Sequence, residues 1–118
     1  MASKINNGYG VVTVENEVVA RIAGQSVTEC AGVVGMAAKN VKDGIVQLLK
    51  KENLTKGVQL SPDGDKLAIG LHIIVNYGTN ITAITENILQ NVRYNVEEYA
   101  GVAVSRINIF IEGIRSDE

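Results

Sequence analysis

The chain of 118 residues has no tryptophan, one phenylalanine, one cysteine and one histidine. A core built from it must be aliphatic, drawn from Val, Ile, Leu and Ala. The lone Cys30 excludes an internal disulfide and a cysteine-rich zinc site. The lone His72 excludes a multi-histidine metal site within one chain. Long hydrophobic runs are missing too. The strongly apolar stretches Ala31–Ala38 and Leu67–Val75 fall far short of the roughly 20 residues a spanning helix needs. Met1 to Gly10 lacks an apolar core of signal-peptide length, so the expected location is the cytoplasm. Without secretion, the acceptor patterns Asn53-Leu54-Thr55 and Asn80-Ile81-Thr82 read as chance.

Recognisable catalytic patterns are also scarce. Gly8-Tyr9-Gly10 lacks the third glycine and the helix of a phosphate loop. Asp63-Gly64-Asp65 lacks the later ligands of a calcium loop and reads as a turn. Glu97 and Glu98 are adjacent, so they diverge around a helix and form no carboxylate pair by themselves. No catalytic, cofactor-binding or metal-ligating residue is assigned, and the expectation is a protein without enzymatic activity.

What is present describes a small domain. The length favours one domain that buries roughly two-thirds of its unfolded surface. Apolar residues at 46% and charged residues at 20% suit a soluble fold. The expected boundaries are a flexible terminus over 1–8, one domain over 9–114 and a tail over 115–118. The net charge of −2 is unevenly spread. Residues 39–56 carry five lysines against two acids, and residues 86–118 carry six acids against three arginines. Such a dipole can steer association, although a solvated face is the simpler account.

Tyr9–Val14 is β-branched after a glycine and reads as a strand. Glu15, Asn16 and Glu17 open a helix with Asn16 as candidate cap, and Val19, Ile22, Ala23, Ser26, Val27 and Cys30 share its apolar stripe. Gly24 in that helix suggests close packing against a sheet, and Cys30 a packed thiol. Gly32–Ala37 fits a strand buried on both faces or a stretch crossing the core. Lys39–Gly44 reads as a loop and Ile45–Leu49 as a short helix. Gly57–Leu60 and Lys66–Asn76 flank Ser61-Pro62-Asp63-Gly64-Asp65, a hairpin signal.

Along the second hairpin strand, Leu67, Ile69, Leu71, Ile73 and Val75 share a face that should point inward. A long helix follows, capped by Thr79 or Asn80, striped by Ile81, Ile84, Ile88, Val92, Val96 and Tyr99, and stopped by Gly101. Ala103–Glu112 closes the chain as a strand with Ile107, Ile109 and Ile111 on one face. The order βαβ(α)ββαβ predicts an α+β two-layer sandwich, a mixed β-sheet with two main helices on one face.

Three groups of residues are candidate sites. Arg106, Asn108, Phe110 and Glu112, on the other face of the closing strand, are expected to be an interaction surface. Lys39, Lys42, Lys50, Lys51 and Lys56 form a candidate basic patch, but no aromatics interleave with them as in a nucleic-acid module. His72, with Asn76 and Tyr77 shortly after it, is a candidate ligand or proton-transfer group.

The chain resembles the alkaline-shock-protein family of Gram-positive-type bacteria, also called envelope stress response proteins. The resemblance rests on Gly10-Val11-Val12-Thr13-Val14, Val18–Ala23, Ala31–Met36, Leu54–Val58, Leu71–Val75 with Tyr77-Gly78, Asn91-Val92 and Ile107–Ile114. It covers about Gly8 to Ile114. Departures are Phe110, where the family often has histidine, and Glu15, where it often has serine. The short chain resembles the housekeeping branch. The resemblance implies a non-enzymatic cytoplasmic structural or adaptor protein linked to envelope stress or homeostasis. It further implies self-association and protein partners, among them a membrane-anchored protein or a dihydroxyacetone-kinase-like protein. Any contact with the membrane would then be indirect. Two alternatives stay open: a small-ligand binder or enzyme near His72, and an RNA-binding module on the lysines.

Overall fold

Strand β6 (Lys66–Asn76) organises the molecule, because three other strands pair with it. The structure, a computed structural model, describes residues 2–7, 10–39 and 46–115, with side chains described over 16–38, 46–50 and 53–115. On one side of β6 lies β7 (Val104–Arg115), parallel to it from Leu67↔Val104 to Asn76↔Arg115. The other side is shared. Strand β5 (Val58–Asp63) pairs antiparallel with the first half, and β3 (Val33–Lys39) pairs antiparallel with Ile73–Val75. Strand β4 (Val46–Leu48) extends the sheet beyond β3. The result is a five-stranded mixed sheet with helices α1 (Asn16–Thr28) and α2 (Ile81–Asn95) packed on it, the α+β class expected.

The alternation in β6 has the predicted effect. Leu67, Ile69, Leu71, Ile73 and Val75 are each no more than 1% exposed, and they cluster with Val19, Val27, Ile84 and Ile88 of the helices. Burying an aliphatic side chain of this size stabilises by roughly 1.5–3 kcal/mol. The β5–β6 hairpin turns at Gly64 and Asp65, with Gly64 at φ +63°. Strand β5 runs through Ser61, Pro62 and Asp63, further than the sequence suggests. Among the described residues β5 pairs with β6 alone, and Pro62 is tolerated on such an edge strand because no donor is needed on its far side.

Asn80 caps α2: its side-chain oxygen accepts from the Ala83 N–H at 3.1 Å. The helix continues into a π turn (Val96–Ala100), and Gly101 ends it at φ +69°. Of the expected stripe, Ile84, Ile88, Val92 and Val96 are buried. Ile81 and Tyr99 are instead exposed, at 39% and 72%. Ile81 lies in the first turn, ahead of the core contact, and the wider π turn shifts the phase that would have turned Tyr99 inward.

Further differences concern short segments. Of the short helix expected over Ile45–Leu49, Ile45 lies outside the described residues and the rest is not helical. Val46–Leu48 pairs with β3, and a 3-10 helix follows over Lys51–Gly57. A helix of five residues carries its nucleation cost with little propagation to offset it, so strand pairing wins. The flexible terminus expected over 1–8 is, at Ala2–Asn7, strand β1, paired antiparallel with β2 (Gly10–Glu15). Ser3, Lys4, Asn6 and Asn7 give that strand no apolar alternation to announce it. Gly24 packs closely, but against the 3-10 helix and not a sheet: a Cβ there would sit 2.5 Å from Leu54 Cδ1. The expected loop over 39–44 is replaced at Lys39 by the end of β3, and its remainder lies outside the described residues.

Candidate interaction surface

Strand β7 is the open edge of the sheet: among the described residues it pairs on its β6 side only. Unpaired N–H and C=O groups on a long edge strand are a template for another chain. Two irregularities divide β7. The register slips between Leu67/Ala68 and between Ile73/Ile74, which makes Ser105 and Glu112 the extra residues of two bulges. Between them, Arg106 to Ile111 run in regular pairing.

The apolar content of this strand is incompletely covered. On the helix side Ile107 and Ile109 are half-buried, while Ile111 is 38% exposed. On the far side Phe110 is 44% exposed, and near the strand's end Ile114 is 60% exposed. Arg106 and Asn108 are exposed as well. Of the residues expected to form an interaction surface, Arg106, Asn108 and Phe110 are thus exposed. Glu112 is half-buried, with its carboxylate against His72.

His72 pairs with Phe110 in the register, and their rings stack with centroids 4.8 Å apart and planes 15° apart. Its Nδ1 lies 2.5 Å from Glu112 Oε2, a contact that requires a proton between the two atoms. Its Nε2 is buried without a hydrogen-bond partner among the described residues. The ring is thus clamped between an aromatic face and a carboxylate. No local pattern announces the His72–Glu112 contact, because the two residues lie on different strands, each on the face away from the helices. Only the parallel register brings those faces together.

The grouping of His72 with Asn76 and Tyr77 does not assemble. Four residues along a strand separate Cα atoms by about 13 Å, which places Asn76 well away from the imidazole. Tyr77 lies beyond the strand end and is 78% exposed, its N–H donating to the Arg115 carbonyl at 2.6 Å. Of the basic patch, Lys50 and Lys56 are exposed. Lys39 ends β3 and Lys51 begins the 3-10 helix, while Lys42 lies outside the described residues.

A second polar feature joins the helices. Asn95 Nδ2 donates to Ser26 Oγ at 2.8 Å, and Asn91 Nδ2 approaches Cys30 Sγ at 3.3 Å. Ser26 Oγ in turn donates to the Ile22 carbonyl at 2.7 Å. Cys30 is the packed thiol expected, 6% exposed. A cleft of about 360 Å³ beside this seam is lined by Ile22, Gln25, Ser26, Glu29, Asn95 and Tyr99. Another, of about 250 Å³, lies between α1 and β3 near Met36 and Leu54. His72 lines neither. Among the described residues no three His, Cys, Asp or Glu side chains gather as a metal site, and no helix is long and apolar enough to cross a membrane.

Comparison with known proteins finds relatives over most of the chain. The profile of the alkaline shock protein 23 family, described as having a cell envelope-related function, matches residues 4–116. The uncharacterized protein YloU of Bacillus subtilis is 40% identical over 116 residues, covering 98% of this chain and 97% of its own. The uncharacterized protein Spy1614 of Streptococcus pyogenes is 34% identical over 116 residues, covering 98% and 96%. A second Bacillus subtilis protein, the uncharacterized YqhY, is 31% identical over 108 residues, covering 92% and 79%. No solved structure matches the chain.

Proposed function

The chain belongs to the alkaline shock protein 23 family, whose function is cell envelope-related, and from that premise we propose that it is a non-enzymatic adaptor acting through protein contacts. The observation that carries this reading is the open β7 edge with Phe110, Ile111 and Ile114 incompletely covered. An apolar strand edge of this length gains stability from a partner that supplies both backbone hydrogen bonds and apolar cover. The family is not a known enzyme family. On this reading the protein works in the cytoplasm and meets the membrane through a membrane-anchored partner. Self-association is one use of the edge, and a protein partner such as a dihydroxyacetone-kinase-like one is another.

The test is light scattering over a range of concentrations together with a pull-down from membrane fractions. The wild-type chain should exceed its monomer mass of 12.6 kDa or retain a membrane-fraction protein. The double variant Phe110→Thr, Ile114→Thr places a strand-favouring β-branched residue at both positions and should lose both behaviours while retaining its circular dichroism. A strict monomer that retains no protein would overturn the reading.

A further inference from the structure

We propose that the cleft between α1 and the C-terminal end of α2 binds a small organic cation, an ammonium or guanidinium group on a short alkyl stem. The two helices meet there in antiparallel register, with Ser26 against Asn95 and Cys30 against Asn91. The hydrogen bonds fix which polar atoms this seam can offer. Ser26 Oγ spends its one proton on the Ile22 carbonyl, so toward Asn95 it can only accept. The Asn95 group facing it must therefore be the NH2, which leaves Oδ1 for another donor. Cys30 repeats the pattern: its thiol donates to the Ser26 carbonyl at 3.4 Å, and its sulfur accepts from Asn91 Nδ2. What the seam has left over is acceptors.

The rim agrees in sign. Glu29 is the one charged residue of the lining, an exposed carboxylate without an ion-pair partner among the described residues. No lysine or arginine lines the cleft, and the one cation of each helix is engaged elsewhere. Arg21 pairs with Glu17 at 3.3 Å, and Arg93 donates to the Val104 carbonyl at 2.6 Å. The wall across from α1 is Tyr99, which the π turn leaves exposed. An aromatic face beside a carboxylate attracts a cation, and Ile22 gives its stem apolar contact.

Other ligand classes fit less well. An anion would meet the Glu29 carboxylate and the Asn95 oxygen. A purely apolar molecule would cover that oxygen without donating to it, which costs free energy. The volume of about 360 Å³ lies in the range of small-molecule sites. The cleft shares no lining residue with β7, so this proposal and the adaptor reading stand or fall separately.

The test is an amide NMR titration of the isotope-labelled full chain with butylguanidinium, against its neutral isostere butylurea. Butylguanidinium should shift the amides of Ser26, Glu29, Asn95 and Tyr99 saturably, and butylurea should not. Glu29→Gln should weaken binding severalfold and flatten its salt dependence. Tyr99→Leu keeps apolar cover, removes the π face and should weaken binding about 2–5-fold. Both residues are exposed, so both variants should fold. Glu86→Gln makes the same charge change at an exposed position nine residues before Asn95 and should leave the affinity unchanged. An arm with acetyl-arginine amide separates the two sources of such a group. Binding as tight as that of butylguanidinium assigns the site to a protein side chain, and no binding assigns it to a free cation. Equal shifts with butylurea would overturn the proposal, because charge would then not be recognised. Equal losses in Glu29→Gln and Glu86→Gln would also overturn it, as the sign of diffuse attraction to an acidic surface. So would the absence of any saturable shift.

Discussion

Gly32 follows α1 at φ +89°, and an alanine placed there tests two effects at once. A built Cβ would lie 2.7 Å from Ile84 Cδ1, 3.0 Å from Ile84 Cγ1 and 3.2 Å from Thr79 Cγ2. Retreat is hindered. The Gly32 carbonyl accepts from the Asn76 N–H at 2.9 Å, and Ile84 is only 4% exposed in the core. Gly64 is the natural comparison. It too has positive φ, +63°, but a Cβ there meets nothing within 4 Å.

Left-handed backbone costs an L-residue about 1–2 kcal/mol. Replacing glycine returns about 0.4–1 kcal/mol by narrowing the unfolded ensemble. Gly64→Ala should therefore destabilise by about 1 kcal/mol. Gly32→Ala adds an overpacking cost of about 1–3 kcal/mol and should total about 2–4 kcal/mol. Urea denaturation reads both, as midpoint shifts at constant slope. A third variant isolates the steric part. Ile84→Val deletes the Cδ1 atom and alone should cost about 0.5–1.5 kcal/mol. In the Gly32→Ala background it should cost less or even stabilise, a non-additivity expected of atoms in contact. Equal losses for Gly32→Ala and Gly64→Ala, with additive Ile84→Val, would refute the packing account.

Two predictions concern α2. Asn80→Ala removes the acceptor for the Ala83 N–H and should cost about 1 kcal/mol in the same assay, with Asn80→Asp retaining most of it. Ile88→Ala leaves a void in a fully buried position and should cost about 2–5 kcal/mol; a loss under 1 kcal/mol would mean that the helix does not sit on the sheet as described.

The parts of the fold legible from the residues are those in which one face of an element meets the core along most of its length. Strand β6 is the clearest case, since the helices cover one side of it and the alternation Leu67, Ile69, Leu71, Ile73, Val75 has no competing explanation. The α2 stripe is legible over Ile84–Val96 and fails where the helix changes pitch at Tyr99. β4 is not legible because three residues display no period, and what makes them a strand is a partner 11 positions away at Leu48↔Ala37 and 7 away at Val46↔Lys39. The surface was half legible. Phe110 and Arg106 declare themselves as outward residues on a strand whose other face is aliphatic. The clamp of Phe110 and Glu112 around His72 depends on a parallel register across a helical crossover, which no local pattern encodes.

The separation of β6 and β7 in the chain has a kinetic side. The β5–β6 hairpin closes through a two-residue turn, and hairpins form in roughly 1–10 μs. β7 must wait for the segment between Asn76 and Val104, with all of α2, to be made and folded back. At ribosomal speeds of about 5–20 residues per second that interval lasts seconds. For that time β6 stands with one edge vacant, and any β7 already displayed by a neighbouring nascent or finished chain is a chemically matched substitute. The same crossover that gives the sheet its parallel strand therefore sets a time window in which intramolecular closure competes with strand exchange between copies. The outcome depends on how closely ribosomes follow one another along the message.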